Sequence, residues 1–352
     1  MTIHRNRKIS NWFVKLSIIM ISFIGLFPLS AQAEEGTLKF HVTPEFPKSQ
    51  IEDSTSYFDL KMNVGETETL TLKLQNAGSE PVKVQITPHT AYTNVNGVVE
   101  YGKDAEVPDS TLIYSVEELI ETPDIIELAG NEAKTVTLNL QMPDEEFEGL
   151  LAGGLRIAEV TEESEVEDTG EGVAIKNEFV YIIGVVLRND RTSVQPDLEL
   201  LDVFADQLNA RNVISATIQN FTPTFVNRLA VEATVQREGE TEVLYEAHQE
   251  QMQMAPNSYF DFPISLEGDR FRSGTYVLNM TARSGEHEWT WSETFTIDAD
   301  QARRLNREDV TIDTSMNWWM IGALILLIAV IILVVILLVK RKKKPKKRKK
   351  TK

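Results

Sequence analysis

The chain contains no cysteine. That excludes a disulfide framework, a thiolate nucleophile and every Cys-ligated metal centre. Histidine is nearly as scarce, with five in 352 residues. The four beyond the N-terminal segment, His41, His89, His248 and His287, form no His-x-x-x-His or comparable ligand pair. There is no Gly-x-Ser-x-Gly elbow and no Gly-rich phosphate loop. A glycosidase-type carboxylate pair is not excluded, because carboxylates are so numerous that any two look paired. The chain therefore reads as a binding or scaffolding protein, not an enzyme, with no cofactor.

Acidic residues are missing from both ends. All 53 Asp and Glu lie between residues 34 and 317, against 20 Lys and Arg, a formal net of −33 for that segment inside a whole-chain −18. Such a field disfavours nucleic acid and anionic lipid as ligands. It suits a cationic partner, or a solvated surface with no partner at all.

The ends are basic and apolar. Arg5, Arg7, Lys8 and Lys15 precede a short apolar stretch, Leu16 to Leu29, and Ala31-Gln32-Ala33 is a small-x-small cleavage site. Residues 1–33 read as a cleaved signal peptide, the stretch being short for a span. At the other end an unbroken apolar run extends from Trp318 to Val339, and eleven of the thirteen residues from Lys340 onward are Lys or Arg. At about 1.5 Å per residue such a run crosses a hydrocarbon core of about 30 Å. Trp318 and Trp319 suit the outer interface, while Lys340, Arg341 and the tail mark the cytoplasmic side. The expected topology is an extracellular segment, one span at 318–339 and a cytoplasmic tail at 340–352. No L-P-x-T-G-like motif precedes the span.

Between these ends, period-two alternation dominates. Leu70, Leu72 and Leu74, then Val82, Val84 and Ile86, then Val136, Leu138 and Leu140 each alternate with polar residues, as half-buried strands do. Further strands are predicted at 38–42, 57–62, 150–159 and 178–188. Tyr92 to Tyr101 reads as a hairpin with a type I′ turn at Asn96-Gly97. A short helix is predicted at 115–121 from the Ser115/Glu118 capping pattern. The acidic segment 161–172 reads as a loop between strands or as a cation site; it has no EF-hand spacing. Polar residues from Asn189 to Pro196 suggest a domain boundary. Seven strands follow, at 197–204, 212–220, 227–237, 242–254, 258–264, 274–282 and 288–297, which is sandwich spacing. Trp289, Trp291, Phe295 and Ile297 share one parity and read as core.

A faint repeat links the halves. Ala129-Gly-Asn131 and Ala255-Pro-Asn257 each precede an alternating run, and each run is followed by an aromatic and a glycine, Phe147 and Gly149 or Phe271 and Gly274. The fold expected is all-β, with two tandem immunoglobulin-like β-sandwiches at 34–188 and 189–298, a stalk at 299–317, a signal peptide and one C-terminal transmembrane helix.

Phe40-His-Val-Thr-Pro44, Tyr57-Phe-Asp-Leu60, Asn94-Val-Asn96-Gly97 and Gly149-Leu-Leu-Ala-Gly153-Gly154 occur in the first half. Met254-Ala-Pro-Asn-Ser258 with Phe260, Phe262-Pro-Ile264, Gly274-Thr-Tyr276 and Trp289-Thr-Trp291 follow in the second, then Ala302 to Asn306 and the span with its Lys tail. In that order the chain resembles the WxL-interacting proteins of Gram-positive bacteria over nearly its whole length. The resemblance implies a peptidoglycan-binding first domain, a second domain assigned to host-surface binding, and a complex with secreted WxL-domain proteins. The expected function is a membrane-anchored surface protein that engages peptidoglycan, WxL-domain partners and a host matrix protein. The alternative is a sensor subunit whose extracellular part is the ligand module. Aromatic rings stack on sugar faces and amides hydrogen-bond hydroxyls, so Tyr92, Asn94, Asn96 and Tyr101 are the candidate glycan or partner contacts.

Overall fold

The structure is a computed structural model that describes residues 39–51, 56–160, 179–312 and 318–342. The expected signal peptide, the acidic segment 161–172 and the tail beyond 342 lie outside the described residues.

The alternating sequences form strands with alternating burial. In β3 (Thr67–Asn76) Leu70, Leu72 and Leu74 are fully buried while Thr71 and Lys73 between them are not. One sheet runs β1 (Phe40–Glu45), β3, β9 (Ala133–Gln141), β7 (Ile120–Glu121), and its partner runs β2 (Phe58–Lys61), β11 (Val180–Arg188), β10 (Leu151–Glu159), β4 (Val82–Thr90), β8 (Ile126–Leu128). The two enclose a core that includes Leu72, Ile86, Leu138, Leu155 and Leu187. In the second half, β12 (Leu198–Leu208), β13 (Arg211–Asn220) and β16 (Ser258–Ser265) form one sheet. The facing sheet runs β15 (Val243–Met254), β14 (Val226–Arg237), β17 (Gly274–Ser284), β18 (His287–Ile297). They enclose Ile214, Val231, Phe262, Leu278 and Ile297.

The strand orders superimpose. β1-β3-β9 corresponds to β12-β13-β16, and β8-β4-β10-β11 to β15-β14-β17-β18. The first half adds β2, parallel to β11, and β7, antiparallel to β9. The sequence echo has a structural cause. Asn76 and Asn220 each end the second strand of a sheet and are buried. Asn76 Nδ2 donates to the carbonyls of Glu80 (2.7 Å) and Ala129 (3.0 Å), and its Oδ1 accepts from Gly78 N (2.8 Å). Asn220 Nδ2 donates to the carbonyls of Thr224 (2.7 Å) and Ala255 (2.8 Å), and its Oδ1 accepts from Thr222 N (3.2 Å). The clamped turns continue to Asn131 and Asn257, both at positive φ, 61° and 46°, a conformation asparagine tolerates. One buried amide per sandwich thus ties two turns together.

Four local expectations are corrected. The hairpin of β5 (Tyr92–Thr93) and β6 (Val99–Glu100) forms, but its turn is not type I′. Gly97 N bonds to Asn94 O, and only Gly97 of the Asn96-Gly97 pair has positive φ, 65°. Asn94 Oδ1 captures the amides of Asn96 (2.9 Å) and Val98 (3.2 Å), which favours a three-residue loop closed between Asn94 and Val98. The helix expected at 115–121 shrinks to α1 (Val116–Leu119), Ser115 makes no side-chain cap bond, and the chain turns straight into β7. Glu117 is drawn instead to Thr90 N and Thr90 Oγ1. The third concerns the start of the expected stalk. α2 (Ala299–Glu308) buries Ala302 and Leu305 in the second core, and Asn306 and Asp309 bond to Asn212. Fourth, Trp289 and Trp291 only lean against the core that Phe295 and Ile297 enter.

Beyond it, α3 (Trp318–Lys342) is a 25-residue helix. Among the residues whose side chains are described, which in α3 are 319 and 322–336, no helix is long and apolar enough to cross a membrane. Trp319 and the apolar side chains from Leu324 to Ile328 and Val330 to Ile336 are exposed. The side chains of Trp318, Lys340 and Arg341 lie outside the described residues.

Candidate binding cleft between the two sandwiches

The β5–β6 hairpin is wedged between the two sandwiches. Thr93, buried, has its hydroxyl 2.7 Å from Ser258 Oγ and accepts from Ala255 N at 3.0 Å. Gln253 N donates to Gly97 O (2.8 Å) and Gln249 Nε2 to Asn96 O (3.0 Å). Ala91, Val99, Ala152 and Ala255 make a small dry cluster at the seam. Nearby, buried Asp109 receives both of its bridging bonds from Gln219 Nε2, at 3.0 and 2.9 Å. Asn257 Nδ2 reaches back to Thr111 O at 3.1 Å. The halves are joined by satisfied polar groups, which costs little desolvation only because each is paired.

Beside this seam lies a cleft of about 1000 Å³. Glu106, Glu117 and Glu118 line it from the first sandwich, and Asp206, Tyr259 and Asp261 from the second. Two wall carboxylates take one internal donor each: Asp206 accepts from Ser215 Oγ (3.1 Å) and Asp261 from Thr217 Oγ1 (2.6 Å). Burial pushes the Tyr259 phenol up, and the charges of Asp261, Asp109 and Glu106 push it further. Lys103, fully exposed at the rim, stands 5.8 Å from the Tyr92 ring centroid. Its ammonium is held above its ordinary value by that ring's hydroxyl, then by Glu100 and Glu106.

One group of side chains near the mouth could hold a metal ion. The ligand atoms of His89, Asp104 and Glu117 all lie within 4.8 Å of one another. Protein partners already satisfy them: His89 Nδ1 is 2.7 Å from Asp104 Oδ1, its Nε2 is 3.1 Å from Thr87 Oγ1, and Glu117 is bonded to Thr90. Burial raises the Asp104 carboxyl, but hydrogen bonding with His89 and Glu117 and the His89 charge outweigh it and leave the value lowered.

The four sequence candidates do not form one patch. Tyr92 and Asn94 line the cleft, with the Asn94 amide donating to Glu100 Oε1 at 2.7 Å. The Asn96 side chain is exposed and its carbonyl serves the seam. Tyr101 lies on the outer sheet face, where its backbone covers Gly154. Burial, then the neighbouring Tyr57, push its phenol up. Tyr259 and Asp261 join the cleft without a motif of their own. Their signal was present: they alternate with core Phe260 and Phe262, so they face outward.

The peptidoglycan-binding domain of the WxL Interacting Protein family matches residues 40–159, and its host-binding domain matches residues 170–307, in that order. The chain belongs to the WxL Interacting Protein family. The host-binding match begins before β11, yet β11 pairs with β10 and β2 in the first sandwich. In this member the structural seam therefore falls after Arg188, where the chain leaves β11 for β12. No curated protein matches the chain. Among solved structures, a chaperone–tip adhesin complex of CFA/I fimbriae biogenesis aligns at 10% identity and TM-score 0.29, covering 74% of this chain and 98% of that one. The PapD-like domain 7 of human CEP192 aligns at 14% identity and TM-score 0.26, covering 47% and 99%. The Pseudomonas aeruginosa CupB2 chaperone aligns at 15% identity and TM-score 0.26, covering 65% and 93%.

Proposed function

We propose that this WxL Interacting Protein is a non-catalytic, single-pass membrane-anchored surface protein whose two sandwiches are tandem immunoglobulin-like domains. The first engages peptidoglycan, the second a host matrix protein, and the pair docks secreted WxL-domain proteins. The observation that carries this reading is the two family domains, in order, on two sandwiches of the same strand order. The anchor rests on the apolar run Trp318 to Val339 followed by Lys340 and Arg341. The localisation follows: membrane-tethered, with the sandwiches outside and the tail inside.

The glycan contacts would be Tyr92 at the cleft and Tyr101 beside Tyr57 on the outer face. Full-length protein in detergent micelles should co-sediment with insoluble peptidoglycan. Recovery entirely in the supernatant would sink the wall-binding reading. Tyr92→Ala and Tyr101→Ala should each weaken retention by about tenfold, roughly 1.4 kcal/mol, as removal of a stacking ring does.

A further inference from the structure

The two sandwiches differ at one equivalent position. In the first, the far flank of β9 is paired with β7, Ile120 to Leu140 and Glu121 to Asn139. In the second, β16 is the corresponding strand, and among the described residues no strand pairs its far flank. The hairpin covers only its beginning, through Thr93 and Ser258.

Pro263 tells which backbone groups face that flank. Proline has no N–H, so within a sheet it is tolerated where that group would point away from the neighbouring strand. Pro263 pairs with Ser215 of β13. Its own position, and every second residue from it, therefore turns N–H and C=O away from β13. Asp261 and Tyr259 belong to that set, and the same period of two puts their side chains in the cleft. The cleft lining runs along this edge strand through Tyr259, Phe260, Asp261 and Pro263, and continues across the sheet face to Ser215 and Asp206. The charge there is one-sided: Glu106, Glu117, Glu118, Asp206 and Asp261 face the cleft, against Lys103.

We infer that the cleft docks an extended, Lys- or Arg-bearing segment of a partner polypeptide, which adds as a strand to β16 at Tyr259 and Asp261, the flank positions before Pro263 that offer both N–H and C=O. Main-chain bonds to the free flank would give affinity, as in strand addition generally, and alternate basic side chains would meet the carboxylates. The ring of Tyr259 flanks the path and suits a cationic head. The inference goes beyond the wall-binding reading and does not depend on it.

The test uses full-length protein in micelles and a fluorescein-labelled octapeptide of alternating lysine and valine, read by fluorescence anisotropy. Saturable binding that weakens with added salt is expected, with none to the glutamate–valine counterpart. Methylating alternate backbone nitrogens on the peptide's bonding edge should weaken binding about tenfold, the loss of roughly 1.4 kcal/mol. The exposed Glu106→Lys should do the same while retaining the wild-type unfolding midpoint. Equal binding by the methylated peptide or unchanged binding by Glu106→Lys would each overturn the assignment. A failed sedimentation assay would leave this readout intact.

Discussion

Asn220→Ala is expected to lower the unfolding free energy by about 3 kcal/mol, and the midpoint by roughly 10 °C. The side chain is fully buried, and its amide is the donor to both Thr224 O and Ala255 O. Alanine leaves those carbonyls without that donor in a place water does not reach, at a cost of about 1–3 kcal/mol per unsatisfied group. The same change at Asn76 should act on the first sandwich by a similar amount, since the same three bonds are made there. Asn220→Asp should be worse at neutral pH. It keeps the shape but faces two carbonyls with a buried carboxylate, whose folded pKa must rise. A raised folded pKa means the folded state binds the extra proton. The lost stability should therefore return as pH falls toward the unfolded value of about 3.9. Calorimetry across pH 4 to 8 reads this directly; a flat profile would show that the amide is not the clamp.

The sandwiches were legible because their information is local. Leucines and valines at every second position state both strand and buried face, and the predicted strands recur within a few residues at each end. The repeat was legible for a related reason: two asparagines that must adopt left-handed backbone stand at matching places in the turns. What did not show was whatever depends on contacts between distant segments. Asn94 bonds its own turn amides, and no propensity says that this beats an Asn-Gly type I′ turn. Glu117 looked like part of a capping helix, but Thr90, twenty-seven residues away, claims it. Residues 299–306 have helical composition and fit a stalk at 299–317, but only two of the ten residues of α2, Ala302 and Leu305, carry the buried face that docks it. The cleft is the extreme case. Tyr92 and Asp261 are remote in sequence and share a wall only because two complete sandwiches dock.

That docking has its own test in Gly149→Ala. Gly149 has φ of +69°, and a Cβ there would run into the Pro223 carbonyl oxygen and lie 2.9 Å from Pro223 Cγ. Pro223 belongs to the other sandwich, in the turn after β13, and its carbonyl accepts from Leu150 N at 2.9 Å. Alanine therefore pays a left-handed backbone cost of about 1 kcal/mol and also forces the seam apart. Gly239→Ala separates these effects. Gly239 has a similar φ, +79°, with nothing within 4 Å of the added Cβ, so it carries the backbone cost alone. If the seam couples the sandwiches, the wild type unfolds in one calorimetric transition. Gly239→Ala should keep one transition at a slightly lower midpoint, whereas Gly149→Ala should split it in two. A single transition in Gly149→Ala, at the midpoint of Gly239→Ala, would mean that the strand-to-strand hydrogen bonds of the hairpin, rather than the Gly149–Pro223 contact, hold the sandwiches together. The Gln253 N to Gly97 O bond would then be the next one to break.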